Sequence, residues 1–322
     1  MRLPDLEPLG LGGGPLGNLF YAVSDEQAHD TVAAAWDAGV RYFDTAPFYG
    51  LGLAERRLGA ALRGRPRAEY AVSTKVGRLL VPTGPGHTGR APGVFDVPGD
   101  HEVRWDFSAD GVRRSLAESL DRLGLDRVDV LLLHDPDEHW RQAVEEAYPA
   151  LAAMRDEGVV GAIGVGMNQT RMLADFVRYT DIDLVLAAGH YTLLDQEAQD
   201  ELIPLCAARG VAVVAGALFH AGLLATDGYE PVRVPGYQPV AEPVWRKATG
   251  IGEVCRRYGV PLAAAAMRFP LGQPSVRSVV VGCHTPAEVV MDVTAFRTGI
   301  PGDFWLELRE HGLLRVDAAL PR

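Results

Sequence analysis

Short, unbroken apolar runs alternate with longer amphipathic segments from one end of the chain to the other. The runs are Leu9 to Gly13, Val40 to Phe43 ending at Asp44, Tyr70 to Thr74 ending at Lys75, and Val128 to Leu133 ending at His134. They continue with Val159 to Val165, Asp183 to Ala187, Val211 to Val214 and Val276 to Val281. Strands that are apolar at successive positions are buried on both faces, as in a parallel sheet. The intervening segments predict helices. Ser24-Asp25-Glu26-Gln27 is a capping box opening one through Ala38, Ser108 caps another to about Leu123, and Thr285-Pro286-Ala287-Glu288 opens the last. Others are expected near Leu53–Leu62, Trp140–Glu157, Thr170–Arg178, Glu197–Arg209, Pro243–Tyr258 and Leu262–Phe269. About eight strand-then-helix units with no linker predict an α/β fold: one closed (β/α)8 TIM barrel domain over residues 1–322. Val76 to Phe107, rich in Gly, Pro and charge, breaks the rhythm and predicts a long loop over the carboxyl end of the third strand.

Composition narrows the partners. The 322 residues are 48% hydrophobic with a net charge of −11, and no basic block stands out, which argues against nucleic acid and anionic membranes. No apolar stretch is long enough to span a bilayer and no export signal is visible, so a cytoplasmic protein is expected. Cys206, Cys255 and Cys283 are scattered without metal-ligand spacing and predict reduced thiols. Oligomeric state is not readable from the sequence.

Three strand ends, with a tyrosine five residues beyond the first, bring chemistry to one place. Asp44, Lys75 and His134 each close an apolar run, and Tyr49 follows Asp44. In a parallel barrel all four gather at the carboxyl edge, where such folds keep their active sites. Alone, each has an ordinary structural explanation. Together they suit proton transfer at a carbonyl that gains or loses hydride. A phenol is a weak acid, with an unperturbed pKa of about 10, and a neighbouring ammonium stabilises its phenolate. Lys75 can play that part with Asp44 holding it, while His134 donates a hydrogen bond to the reacting oxygen.

Phe43-Asp44-Thr45-Ala46-Pro47-Phe48-Tyr49-Gly50, Ser73-Thr74-Lys75 and Leu133-His134-Asp135-Pro136 resemble the Asp/Tyr/Lys/His tetrad of the aldo-keto reductase family. Gly10-Leu11-Gly12-Gly13-Gly14-Pro15-Leu16-Gly17-Asn18 and Phe107 to Asp129 are similar to its aldose dehydrogenase branch, of the L-fucose and D-threo-aldose 1-dehydrogenase kind. The resemblance implies a barrel that binds NAD(P)(H) without a Rossmann fold and oxidises a sugar such as L-fucose or D-arabinose at C1 to a lactone. Aldehyde or ketone reduction by NADPH, pyridoxal oxidation, and a non-catalytic nicotinamide-binding subunit are the alternatives it leaves open.

It also implies the cofactor contacts. Asn168 corresponds to a carboxamide-binding asparagine, although it also suits a helix N-cap. Gly216 stands where many reductases carry an aromatic under the nicotinamide, with Phe219 as a substitute. Gly282 precedes a helix start suited to a phosphate. Glu288 takes the place of a 2′-phosphate-binding arginine, which favours NAD over NADP. The pocket is expected from Phe20, Tyr21, Phe48, Tyr191, the Phe219–Leu224 segment and the long loop, with Trp105 stacking on a pyranose and His101, Arg104 and Asp106 meeting hydroxyls.

Two rivals start from other motifs. Gly12-Gly13-Gly14-Pro15-Leu16-Gly17 matches a dinucleotide fingerprint, but no helix starts inside it, as a Rossmann unit requires. His134, His190, His220 and His284 all follow strands and can in principle hold a metal, but no His-x-His or carboxylate-rich cluster accompanies them. No metal is expected.

Overall fold

A computed structural model describes residues 3–84, 89–226 and 240–321. Its strands are β1 (Leu9–Gly12), β2 (Tyr42–Asp44), β3 (Ala71–Val76), β4 (Arg78–Pro82), β5 (His101–Trp105), β6 (Val130–His134), β7 (Ala162–Met167), β8 (Leu184–Ala188), β9 (Ala212–Gly216) and β10 (Val276–Gly282). Eight of them close a parallel barrel in the order β1-β10-β9-β8-β7-β6-β3-β2. The expected (β/α)8 barrel is therefore present.

The continuous apolar runs follow from two buried faces. Tyr42, Val130, Leu132, Leu184, Leu186, Val214 and Val280 fill the barrel. Their neighbours Phe43, Leu131, Leu133, Val185, Val213, Val279 and Val281 face the surrounding helices. Successive residues take opposite faces of a strand, so no position is left for water. Register does the rest: Gly12 pairs with Asp44, Asp44 with Ser73, Lys75 with Leu132, and His134 with Gly166. The tetrad strands thus end at one rim.

Ser24, Ser108 and Thr285 cap their helices by accepting from the amides of Gln27, Gly111 and Glu288 at 3.0, 3.0 and 3.1 Å. Other boundaries move. The helix expected near Trp140–Glu157 has a π turn at Ala143–Ala147 before Tyr148–Asp156. Pro149 has no N–H to continue the regular ladder there. Glu197–Gln199 forms only a 3-10 turn, and the helix proper is Leu202–Arg209, with Pro204 in its first turn. A further helix, Gly302–Glu310, buries Phe304, Trp305 and Leu308.

The segment Val76 to Phe107 is only partly the loop expected. β4 and β5 pair antiparallel across it, from Arg78↔Trp105 to Pro82↔His101. Gly77 turns the chain at φ +101° between β3 and β4, with Phe107 against it. Residues 85–88 of this segment lie outside the described residues. Among the described residues, no helix is long and apolar enough to cross a membrane.

Candidate active site

Three chain segments build the centre of the site. β2 ends at Asp44, β3 carries Lys75, and the turn after β2 returns Tyr49. That turn is set by a close approach of two glycines. A Cβ on Gly17 would stand 2.6 Å from the Tyr49 carbonyl carbon, and Gly50 sits at φ +63° against the Gly17 backbone. Only glycine tolerates both conditions, so the glycine-rich segment after β1 positions the Tyr49 loop.

Lys75 Nζ donates to Asp44 Oδ2 at 2.7 Å, to the Thr45 carbonyl at 2.9 Å and to Tyr49 Oη at 3.1 Å. The second carboxylate oxygen of Asp44 accepts from Ser73 Oγ at 2.6 Å, and Ser73 also hydrogen-bonds Tyr42 Oη at 2.9 Å. Both charges are removed from water and every ammonium hydrogen has an acceptor, as a buried ion pair requires. Burial works against the Lys75 charge, but Asp44 and then Tyr49 outweigh it, and the ammonium is held above the ordinary lysine range. Burial raises the Tyr49 phenol; Lys75 pulls it back without cancelling the rise.

His134 closes β6 beside them. Its ring meets Tyr49 edge-on at 5.8 Å between centroids. Burial, then the charges of Arg78 and Lys75, lower its pKa well below the usual value, so the imidazole is neutral near pH 7. Its Nε2 lies 3.6 Å from Asp135 Oδ2, and its Nδ1 is buried without a hydrogen-bond partner among the described residues. The rim therefore holds a charged ammonium, a phenol and a neutral imidazole within one cluster.

The wall around this cluster includes two residues of the Val76–Phe107 segment to which the sequence assigns no individual role, Arg78 and Phe95. Arg78, at the start of β4, lies 4.4 Å from the Phe48 ring centroid and 4.3 Å from that of Trp105, and pairs with Asp135. Phe95 packs on Phe48 and Tyr49 at 5.3 and 5.9 Å. Phe95 reaches the mouth because its segment is tied to the β1 loop: Phe20 N donates to Val94 O at 2.7 Å and Asp96 N to Asn18 O at 2.9 Å. Arg78 stands three positions beyond Lys75, which is the one sequence signal for it. Its burial depends on the Gly77 turn and on β5.

Two of the expected cofactor positions, Gly282 and Glu288, line a cleft of about 370 Å³ between the ends of β1, β9 and β10, while Asn168 and Gly216 are not among its lining residues. Phe20, Tyr21, Phe219, Gly282 and Glu288 are among its lining residues. Gly216 is buried at the end of β9, and a Cβ there would meet Val280 and Leu186 at 3.4 and 3.5 Å. A Cβ on Gly282 would stand 2.8 Å from Pro15 Cδ, so a side chain would intrude on the cleft wall. Glu288 Oε2 accepts from His284 N at 2.7 Å, one residue before the Thr285 N-cap rather than from the N-cap amide itself. Tyr21 stacks on His284 at 4.2 Å.

Two expectations are corrected. Asn168 is exposed and does not cap the following helix; the N-cap is Gln169, whose extended backbone begins that helix. Tyr191 does not line the pocket. It is fully buried in the layer between barrel and helices, 5.6 Å from Phe269, because the chain turns outward after β8. Trp105 stands part-exposed at the mouth, against Arg78, Phe107 and His139.

The strand-end histidines His134, His190 and His284 stand apart from one another. His190 lies with Asp195 and Glu197, its Nδ1 at 3.0 and 3.3 Å from their carboxylates, a cluster the sequence did not lead one to expect, while His284 Nε2 donates to Leu19 O at 2.8 Å on the opposite side of β9. The three cysteines are buried, and none forms a disulfide among the described residues.

The Aldo/keto reductase family model matches residues 8–312. The chain is 46% identical to a D-threo-aldose 1-dehydrogenase from Pseudomonas sp over 95% of its length and 94% of the relative's. It is 36% identical to a pyridoxal 4-dehydrogenase from Microbacterium luteolum, covering 95% of this chain and 94% of the other. It is 31% identical to the L-galactose dehydrogenase of Arabidopsis thaliana, over 89% and 83%. Among solved structures, an aldo-keto reductase from Bacillus halodurans in its holo form superposes with TM-score 0.75 at 22% identity, covering 99% of this chain and 98% of that one. With the family model spanning almost the whole barrel and relatives this similar end to end, the chain belongs to the aldo/keto reductase family and is an oxidoreductase.

Proposed function

We propose that this protein oxidises the anomeric carbon of an aldose, L-fucose or D-arabinose being the models, to the corresponding lactone with NAD. The observation that carries the chemistry is the Tyr49–Lys75–Asp44 chain, with contacts of 3.1 and 2.7 Å. The similarity to a D-threo-aldose 1-dehydrogenase supports the substrate class.

The family uses nicotinamide nucleotides, and the cleft suits one. Its aromatic and glycine-lined walls leave room for flat rings, with Asn168, Gly216 and Gly282 proposed to hold the nicotinamide and phosphate ends. Glu288 places a carboxylate at the entrance of the helix Pro286–Phe296. A carboxylate repels a 2′-phosphate and accepts from a ribose hydroxyl, which favours NAD. When bound, the oxidised nicotinamide supplies the hydride acceptor for the reaction.

The protein's own part is proton handling. Tyr49 as phenolate takes the proton of the anomeric hydroxyl as C1 loses hydride and the C1–O bond becomes a carbonyl. The ring oxygen stays attached, so the product is a lactone. Lys75 stabilises the phenolate and Asp44 keeps Lys75 in place. Neutral His134 donates to the reacting oxygen and orients it. Phe20, Phe48 and Trp105 form the walls in this scheme.

The test is turnover of free aldoses, pyridoxal and aryl aldehydes with NAD(H) and NADP(H). The expected result is NADH formation from sugars. Brisk NADPH-driven aldehyde reduction with no sugar turnover would refute the reading. Tyr49→Phe should lower turnover about 10²–10⁴-fold, the usual range for a general acid–base, while NAD binding, followed by fluorescence, persists. Full turnover in that variant would remove Tyr49 from the mechanism.

A further inference from the structure

Asp135 follows His134 and leaves the end of β6 with φ +44°, a left-handed conformation that is costly for a residue with a side chain. Its backbone is tied in that shape, because Asp135 N donates to the Gly166 carbonyl at 3.0 Å. The conformation turns the carboxylate back toward the tetrad, where Oδ2 stands 3.6 Å from His134 Nε2. The same Oδ2 takes the ion pair with Arg78, and Oδ1 receives no hydrogen bond from the described residues. The Asp135 side chain keeps 27% of its surface exposed, at a rim where His134 is otherwise sealed.

Arg78 is held as firmly as its partner. Its guanidinium lies between the Phe48 and Trp105 rings at 4.4 and 4.3 Å, and only 10% of its side chain is exposed. A planar cation between two aromatic faces, paired with a carboxylate, is a rigid arrangement that lysine does not reproduce. Two elements far apart in sequence, β4 and the exit of β6, thus hold one carboxylate beside His134. The Tyr49–Lys75–Asp44 relay makes no hydrogen bond to either residue. An ionised carboxylate is an acceptor only, so what it can recognise is a donor on the substrate.

We propose that Asp135, clamped by Arg78, is a specificity-determining residue whose carboxylate accepts a hydrogen bond from a hydroxyl on the carbon next to the reacting one. The reasoning is geometric. A reacting oxygen that takes its hydrogen bond from His134 Nε2 has Asp135 as its neighbour on that side, and in a 2-hydroxylated substrate the adjacent oxygen is the next polar atom in line. Such a substrate completes the carboxylate's hydrogen bonding; a deoxy counterpart leaves a half-buried charged acceptor unsatisfied. This deepens the sugar reading above and rests on it for the class of substrate, although the recognition itself requires only a hydroxyl beside the carbonyl.

The experiment compares matched substrates in wild type and Asp135→Asn, both with the cofactor supplied: an aldose against its 2-deoxy form in oxidation, and a 2-hydroxyaldehyde against the plain aldehyde of equal length in reduction. Wild type should favour the hydroxylated member by about 10–100-fold in kcat/KM, the scale of one hydrogen bond to a charged group. Asp135→Asn should lose most of that preference, chiefly through KM. Arg78→Met should move in the same direction, and Arg78→Lys should restore less than half of it. An unchanged preference in Asp135→Asn, or an equal loss on both members of each pair, overturns the proposal and makes Asp135 an orienting partner of His134 only. If no sugar is oxidised the lactone reading fails, and the aldehyde pair still decides this one. Thermal melting and NAD binding of the variants separate these outcomes from misfolding.

Discussion

Two ion pairs stand at the same barrel rim and are built differently. Lys75–Asp44 joins two barrel strands, with side chains 2% and 4% exposed. Arg78–Asp135 joins an added ribbon to a strand exit, with side chains 10% and 27% exposed. The first is dry and has every donor matched. The second is partly wet, leaves one carboxylate oxygen open, and rests on aromatic rings for its geometry. The difference teaches how one rim divides its work. In the proposed mechanism the dry pair serves the step that every substrate undergoes, where fixed charge in a low dielectric is worth most. In the proposal above, the wet pair faces the part of the substrate that varies.

Breaking each pair should show that difference. Lys75→Met leaves Asp44 buried without its countercharge and should cost about 3–5 kcal/mol of stability, the range for a buried pair losing one partner. Oxidation should slow about 10²–10³-fold. With Lys75's pull on the phenol gone, the alkaline rise in oxidation rate should also move to higher pH, seen in the pH profile of kcat/KM. Arg78→Met should cost less, about 1–3 kcal/mol by denaturant melts, because water reaches Asp135. An equal or larger cost would end the distinction between the pairs.

His134 sharpens the comparison through pH. Its folded pKa lies below the unfolded value of about 6.5. The unfolded chain therefore binds the proton first, and stability falls as pH drops below about 6.5, by up to about 1.4 kcal/mol per pH unit. Urea midpoints in mildly acid buffers should show this slope in wild type and a shallower one in His134→Gln. The smallest effect is expected outside both pairs: Glu288→Gln should tighten NADP binding relative to NAD by several-fold, through the loss of one partly exposed charge near a phosphate. No change in the ratio of the two dissociation constants would remove Glu288 from cofactor selection.

The barrel was legible because its strands announce themselves. Val130-Leu131-Leu132-Leu133 leaves no polar position, and a strand of that kind has to be buried on both faces. The positions of Asp44, Lys75 and His134 were legible for the same reason, since a polar residue closing such a run falls at the rim. What was hidden lies where the chain leaves a strand. Arg78 looks like a surface charge in a Gly- and Pro-rich segment until Gly77 and Trp105 bury it. Tyr191 looks like a mouth residue until the turn after β8 carries it to Phe269. Asn168 is the better N-cap by residue type, yet the N-cap falls one residue later, at Gln169, whose side chain makes no cap hydrogen bond.

The sequence alone determined the barrel, its reading direction and the proton chemistry gathered at its carboxyl edge. Those follow from local pattern: apolar period, capping residues, and chemically active residues at run ends. Tertiary structure decided which of these groups is charged, which is dry, and what faces the substrate. Lys75 keeps its charge because Asp44 and Thr45 converge on it from another strand, and Asp135 is presented because Arg78 reaches it from the ribbon β4–β5. Side-chain environment depends on contacts between segments far apart in the chain, and local pattern carries no record of them.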